Sequence, residues 1–108
     1  MSRGGPAPVD HGVRVLVFYA TDDVAGIETA YHEAGRLLAG TPGLLGNELL
    51  RSLHDPDGFV VASSWSSRRE FDAWERGTDH KGQTGPLRRF TDTRLSRPFG
   101  VYQVTGRY

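Results

Sequence analysis

The fold is decided by the stretch DPDGFVVASSWSSRREFDAWERGTDH, residues 55–80. It opens with Asp-Pro-Asp-Gly, a strong turn sequence, and residues 59–65 are rich in the β-branched and aromatic side chains that predict a short strand. Ser67 and Glu70 then have the spacing of a helix capping box. Residues 68–76 predict a helix that turns Phe71 and Trp74 toward the core. The stretch therefore predicts a strand followed at once by an amphipathic helix.

The flanking sequence completes a recognisable order of elements. Residues 13–20 and 44–53 predict two strands, and residues 24–39 predict an amphipathic helix between them. Residues 87–90 predict one or two helical turns, and residues 99–107 predict a last strand. The resulting order, β-α-β-β-α-β, is that of the ferredoxin-like fold. We therefore expect an α+β domain with an antiparallel four-stranded sheet.

The faces of that sheet indicate a second copy of the chain. Two helices cover only one face of a four-stranded sheet, yet the first and third strands are apolar on both faces. On the first strand, the set Val13, Val15, Val17 and Tyr19 alternates with the set Leu16, Phe18 and Ala20. Soluble monomers rarely expose a large contiguous apolar patch. The sequence therefore predicts a homodimer through the sheet faces, a dimeric α+β barrel.

Composition excludes several classes of function. The 108 residues suit one domain, residues 13–108, preceded by a flexible tail at residues 1–12 that is rich in Gly and Pro. The 13 basic and 13 acidic residues balance, so there is no electrostatic reason to expect nucleic acid as a partner. No apolar run approaches the ~18 residues that cross a bilayer, so no membrane partner is expected. The absence of cysteine suits a cytoplasmic protein.

Several side chains are candidates for chemistry. His80 has the residue type for proton transfer near neutral pH, although a surface histidine is the alternative. Trp65 and Trp74 would form an aromatic wall that stacks a planar substrate, or would be ordinary core residues. Tyr19 and Tyr31 each carry a hydroxyl that needs a hydrogen-bond partner, which would be a ligand or the backbone.

Polar residues on the second strand raise a further alternative. Asn47 and Arg51 lie among leucines on one face of that strand. If this face is internal, their burial is costly without partners, and they become pocket candidates. If the strand lies at an edge and the face is open, they need no special explanation.

Metal and cofactor motifs are not found. His54, Asp55 and Asp57 resemble a metal cluster, but turn chemistry explains the two aspartates and no other histidine stands at ligand spacing. The chain has no phosphate-binding loop and no dinucleotide fingerprint. The pair Arg88-Arg89 is expected on a solvated surface. We therefore expect neither a metal nor an organic cofactor.

With these residues in view, the chain resembles the antibiotic biosynthesis monooxygenase family of dimeric α+β barrels. The resemblance rests on Pro42-Gly43-Leu44, the Asp-Pro turn, Ser64-Trp65, Phe71-Asp72-Ala73-Trp74 and His80. It implies a small aromatic substrate, such as an anthrone, that is deprotonated and reduces O₂ itself without metal or flavin.

The resemblance also implies a set of site residues. Such oxygenases pair an asparagine four residues before the strand-three tryptophan with a tyrosine six residues after it. This chain keeps Trp65 but has Val61 and Phe71 at those two positions, and neither can hydrogen-bond an oxyanion. The expected substrate-binding residues are Trp65, Trp74, Phe71, Tyr31, Val61 and Arg51.

The sequence thus predicts a cofactor-independent monooxygenase of a phenolic or anthrone-like compound. His80 would move the proton, and Tyr19 or Asn47 would orient an oxygen. A polyketide cyclase on the same fold and a non-catalytic dimer that binds a hydrophobic ligand remain open. Haem degradation is less favoured, because Thr84 stands where haem-degrading relatives have a histidine ten residues after Trp74.

Overall fold

The computed structural model describes residues 12–77 and 80–108. Its elements are β1 (Val13–Ala20), α1 (Val24–Leu38), β2 (Leu44–Arg51), β3 (Gly58–Trp65), α2 (Arg68–Arg76), α3 (His80–Thr84), a 3₁₀ segment (Gly85–Phe90) and β4 (Phe99–Gln103). The strands form one antiparallel sheet in the order β2-β3-β1-β4. The predicted ferredoxin-like α+β fold is confirmed.

Side chains just ahead of α1 and α2 cap the N-termini of both helices, and Ser67 is the cap that the sequence predicts. The Asp23 carboxylate accepts a hydrogen bond from the Gly26 N–H at 2.9 Å, and the Ser67 hydroxyl accepts one from the Glu70 N–H at 3.1 Å. Each bond satisfies an amide that has no partner within its helix. The Glu70 carboxylate accepts a hydrogen bond from the Ser66 hydroxyl. The junction between β3 and α2 is therefore held by hydrogen bonds between the two serines that precede the helix and Glu70 in its first turn.

Glu70 also explains one glycine in the turn before β2. Gly43 has a φ of +83°, and a β-carbon there would lie 2.5 Å from the Glu70 β-carbon. The Gly43 carbonyl accepts a hydrogen bond from the Ser66 N–H at 2.8 Å. Only glycine combines this backbone conformation with so close an approach.

Several predicted element boundaries differ from the observed ones. α1 ends at Leu38, and β2 ends at Arg51 because the Ser52 hydroxyl accepts hydrogen bonds from the next turn. β4 ends at Gln103 because that residue pairs with Val13, where β1 begins and the partner strand runs out. The helical turns predicted at residues 87–90 extend back through the 3₁₀ segment and α3 to residue 80.

The core lies between the helices and one face of the sheet, here called the covered face. Its largest fully buried side chains are Trp65, Ile27 and Val13. Alternation along β1 and β3 places the buried members on this face: Val13, Val15, Tyr19, Phe59 and Trp65. The covered face therefore supplies the surface on which a site can be built.

The opposite face, here called the open face, carries no helix. Its central side chains are apolar and half-buried: Leu16, Phe18, Val60 and Ala62. Beside them Leu50 is 43% exposed and Tyr102 is 54% exposed. Both faces of the central strands are therefore apolar, as the sequence indicates, while the dimer itself stays a prediction.

Two further expectations concern the N-terminal tail and a membrane partner. The predicted tail, residues 1–12, lies outside the described residues except for Gly12, and the division into tail and domain stays a prediction. Among residues 12–77 and 80–108, no helix has the length and apolar character needed to cross a membrane.

Candidate functional site

A cavity of about 300 Å³ lies between the covered face and the helices. Its floor consists of strand side chains: Val15, Val17, Tyr19, Asn47, Val61, Ser63, Phe99 and Val101. The helices contribute Ala34, Leu38, Phe71, Trp74 and Leu87. A mostly apolar cavity of this size with a few polar groups is typical of small-molecule sites.

One end of the cavity is an aromatic wall, formed by Trp65, Phe71 and Trp74. The Trp65 ring centroid lies 5.5 Å from that of Phe71 and 5.1 Å from that of Trp74. The Trp65 indole N–H donates to the Ser63 hydroxyl at 3.1 Å, and the Trp74 indole N–H donates to the Gln83 side-chain oxygen at 2.7 Å. These bonds fix both indole planes, and both tryptophans line the cavity.

Tyr19 lines the other end of the cavity. It is only 6% exposed, and burial raises the pKa of its phenol to about 12, while the positive charge of Arg88 acts in the opposite direction. Within the described part of the chain, no residue makes a hydrogen bond with its hydroxyl. The phenol therefore stays protonated at neutral pH and is a hydrogen-bond donor available to a ligand.

Asn47 reaches the cavity from β2 and is held by Tyr31. The Tyr31 hydroxyl donates to Oδ1 of Asn47 and lies 3.1 Å from the Asn47 carbonyl oxygen. This contact occupies the acceptor of the amide, so its NH₂ group is the end that is left for a ligand. Tyr31 itself is not among the lining residues, and its effect on the site passes through Asn47.

Of the other predicted site residues, one lies outside the cavity and one has a side chain outside the described residues. Arg51 is not in the lining: its guanidinium carbon stands 5.6 Å from the centre of the Phe59 ring, and Nη2 donates to the Pro56 carbonyl at 3.4 Å. The backbone of α3 begins at His80, but the His80 side chain lies outside the described residues. The structure thus brings together Tyr19, Asn47, Val61, Trp65, Phe71 and Trp74.

Comparison with known proteins settles the family. The antibiotic biosynthesis monooxygenase model matches residues 13–82, more than half of the chain. The chain belongs to this family. It is similar to Protein SchA of Streptomyces halstedii, with 29% identity over 104 residues; the match covers 93% of this chain and 27% of SchA. The chain therefore spans about a quarter of the length of that curated relative.

Solved structures share the same architecture. SnoaB, a cofactor-independent oxygenase from Streptomyces nogalater, matches with a TM-score of 0.70 and 19% identity, covering 93% of this chain and 96% of SnoaB. A candidate antibiotic biosynthesis monooxygenase from Nitrosomonas europaea matches with a TM-score of 0.67 and 18% identity, covering 93% and 94% of the two chains. At these identities the structural likeness shows the fold alone.

Sequence reasoning missed several polar groups of this family member's cavity. Arg88, predicted to lie on a solvated surface, is exposed but lines the cavity, and Thr91 lines it next to the bridge with Tyr19. Ser63, Glu75 and Thr84 also line it. The period-two pattern of β3 signals the inward direction of Ser63. The helical spacing of Glu75, four residues after Phe71, signals its direction in the same way. No sequence signal placed Arg88 or Thr91, because the short 3₁₀ segment has no amphipathic period.

A metal centre has no support in the described geometry. Within residues 12–77 and 80–108, no group of three or more His, Asp or Glu side chains is arranged to hold a metal ion. Asp55, one of the residues that resemble a metal cluster in the sequence, accepts a hydrogen bond from Arg94 at 2.7 Å. The cavity residues thus offer aromatic rings, neutral hydrogen-bonding groups and two charged side chains, Glu75 and Arg88.

Proposed function

We propose that this member of the antibiotic biosynthesis monooxygenase family is a cofactor-independent oxygenase of a planar phenolic or anthrone-like compound. The observation that carries the proposal is the aromatic wall beside an apolar cavity, with Tyr19 and Asn47 presenting donors to the same space. An electron-rich aromatic anion transfers an electron to O₂ directly, so the protein needs only to bind it, ionise it and exclude water.

The proposed reaction converts an anthrone methylene to a carbonyl. Loss of a phenolic or enolic proton gives the aromatic anion, which reduces O₂ and forms a carbon–oxygen bond. The resulting peroxide loses the remaining methylene proton while its O–O bond breaks, which leaves one oxygen in the quinone carbonyl and the other in water. One O₂ is consumed for each quinone formed.

The residues take separate parts in this scheme. Trp65 and Trp74 stack the ring system, and the Asn47 amide donates a hydrogen bond to an oxygen that gains negative charge. Tyr19, with its pKa near 12, acts as a donor and not as the base at neutral pH. We keep His80 as the proposed base because an imidazole titrates near neutrality.

Oxygen uptake tests the proposal. The protein is mixed with 1,8-dihydroxyanthrone in an oxygen electrode, and the quinone is quantified by chromatography. We expect uptake above the buffer rate with one O₂ per quinone, and a large loss of rate in Trp74→Ala and His80→Ala. Uptake equal to buffer would remove the oxygenase assignment, and an unchanged rate in His80→Ala would remove the proposed base.

A second candidate function is binding of a hydrophobic ligand without chemistry, or its cyclisation without O₂. Val61 and Phe71 favour this second function. They stand at the two positions where the oxygenases that the chain resembles have hydrogen-bonding side chains, and both line this cavity with hydrocarbon. Tight binding of an anthrone that returns chemically unchanged would support the binder. An isomeric product formed under nitrogen would support the cyclase.

We also propose that the protein is a homodimer through the open face, and that it is cytoplasmic. The half-buried side chains Leu16, Phe18 and Val60 form an apolar surface. A two-fold dimer would bury this surface against the same surface of a second copy. The absence of cysteine suits a reducing compartment.

A further inference from the structure

We infer that Tyr19 and Arg88 form an anion-binding end of the cavity, which takes a carboxylate carried by the aromatic ligand. This inference rests on the proposed function only in assuming that a flat aromatic compound occupies the cavity. It adds the substrate class: an aromatic acid whose charged group lies away from the ring that stacks on the tryptophans.

The two ends of the cavity are separated along β1. Trp65 lies opposite Val13 at the start of that strand, and Tyr19 lies near its end, opposite Phe59. Six residues of strand correspond to about 20 Å. A ligand that contacts the aromatic wall and the Tyr19 end must therefore be elongated, and the two ends recognise different parts of it.

The Tyr19 hydroxyl is the observation that points to a ligand. Buried polar groups are nearly always hydrogen-bonded, and a buried donor without a partner destabilises the folded state. Tyr19 is only 6% exposed, and its hydroxyl makes no hydrogen bond with any residue in the described ranges. An acceptor oxygen from a ligand would satisfy it.

Arg88 supplies the charge at the same end. It lines the cavity, and it lies close enough to Tyr19 to oppose the effect of burial on the phenol. Its Nη2 donates to the Lys81 carbonyl at 2.9 Å, which holds the guanidinium in place, and it forms no ion pair with any described carboxylate. Glu75, the lining residue of opposite charge, is on α2, which carries Phe71 and Trp74 of the aromatic wall.

A carboxylate is the group that matches these two donors. A guanidinium presents a planar pair of N–H groups that fits the two oxygens of a carboxylate, and the phenol adds a third donor. A phosphate would bring about two negative charges to a cavity whose lining has one arginine and one glutamate. One guanidinium and one phenol therefore suit a singly charged planar group better than a phosphate.

Binding of two matched probes tests the inference without using O₂. The probes are anthraquinone-2-carboxylate and its neutral carboxamide, and the readout is quenching of the tryptophan fluorescence, since both tryptophans lie in the aromatic wall. We expect the wild-type protein to bind the carboxylate about tenfold more tightly. In Arg88→Gln the two probes should bind equally, and in Tyr19→Phe the preference should fall several-fold.

The neighbouring arginine is the matched control. Arg89 carries the same charge, but its guanidinium stacks over the Phe90 ring at 4.2 Å and is not among the residues that line this cavity. Arg89→Gln should keep the preference for the carboxylate. Equal losses in Arg88→Gln and Arg89→Gln, no preference in the wild type, or no binding of either probe would overturn the inference. If the protein prefers the carboxylate but takes up no O₂, the anion-binding end is supported and the oxygenase assignment is removed.

Discussion

The indole nitrogen of Trp74 donates a hydrogen bond to the side-chain oxygen of Gln83, 2.7 Å away. Gln83 in turn donates from Nε2 to the Leu37 carbonyl at 3.1 Å. One side chain thus joins the aromatic wall on α2 to α3 and to the end of α1. The orientation of the wall depends on a residue that does not itself line the cavity.

Gln83→Leu should therefore lower the free energy of unfolding by about 1 kcal/mol, because a half-buried indole N–H loses this partner. The measurement is urea denaturation followed by circular dichroism. Trp74→Phe removes the other member of the pair, so the double variant should cost less than the sum of the two single variants. Strictly additive costs would show that the hydrogen bond carries no stability.

Removing one hydroxyl group should have opposite effects at two tyrosines. Tyr19→Phe should raise the free energy of unfolding by about 1 kcal/mol, because it deletes a buried donor without a partner in the described structure. Tyr31→Phe should lower it by about 1 kcal/mol, because it breaks the bond to Asn47. Urea denaturation of the two variants side by side gives the comparison. Destabilisation of both would mean that the Tyr19 hydroxyl has a partner in the folded protein.

Alkaline pH should destabilise the protein partly through Tyr19. Its pKa is raised by burial from 10.0 to about 12, so its contribution to stability is complete below pH 10 and is lost as pH rises from 10 toward 12. Tyr19→Phe should then lose less stability than the wild type between pH 9 and about 11. An equal loss of stability with pH in the two proteins would refute the attribution to Tyr19.

Acid should weaken a triad that joins the β2–β3 turn to the segment before β4. Arg94 donates to Asp92 at 2.9 Å and to Asp55 at 2.7 Å, and these hydrogen bonds hold the pKa of both carboxyl groups below 3.8. A carboxyl group whose pKa is lowered by folding stabilises the folded state at pH values above its ordinary pKa. That stability is lost as the pH falls through the lowered pKa.

Arg94→Gln should consequently be less stable than the wild type at pH 7, and the difference should shrink as pH is lowered from 4 toward 2. The comparison is thermal unfolding at each pH. Arg68→Gln is the control: Arg68 pairs with Asp72 at 3.5 Å on the helix surface, where a single ion pair contributes little. A difference that is constant with pH would contradict the proposed role of the triad.

Charge placed on the open face should separate the proposed dimer. Leu16→Glu and Val60→Glu each put a carboxylate at the centre of that face, where burial against a second copy would be costly. Sedimentation velocity at micromolar concentration should show a dimer for the wild type and a folded monomer for each variant. Leu95→Glu, at a 43% exposed leucine outside the sheet, should remain dimeric. A monomeric wild type would refute the proposed assembly.

The elements and their faces follow from the order of the residues alone. Local signals are enough for that purpose: the Ser67 cap starts α2, the Asp-Pro-Asp-Gly turn separates β2 from β3, and alternation along β1 shows that both of its faces are apolar. The same spacing placed Trp65 and Trp74 on inward faces. Each of these properties depends on residues close together in the chain.

Which polar groups share the cavity depends on how distant segments pack together. This packing brings Arg88 to the Tyr19 end, places Tyr31 behind Asn47, and leaves Arg51 stacked on Phe59 outside the lining. The physical reason is that a periodic pattern tells which way a side chain points but not what lies across from it. Contacts between distant segments follow from how the 3₁₀ segment and the helices pack on the sheet, and that packing has no local signature.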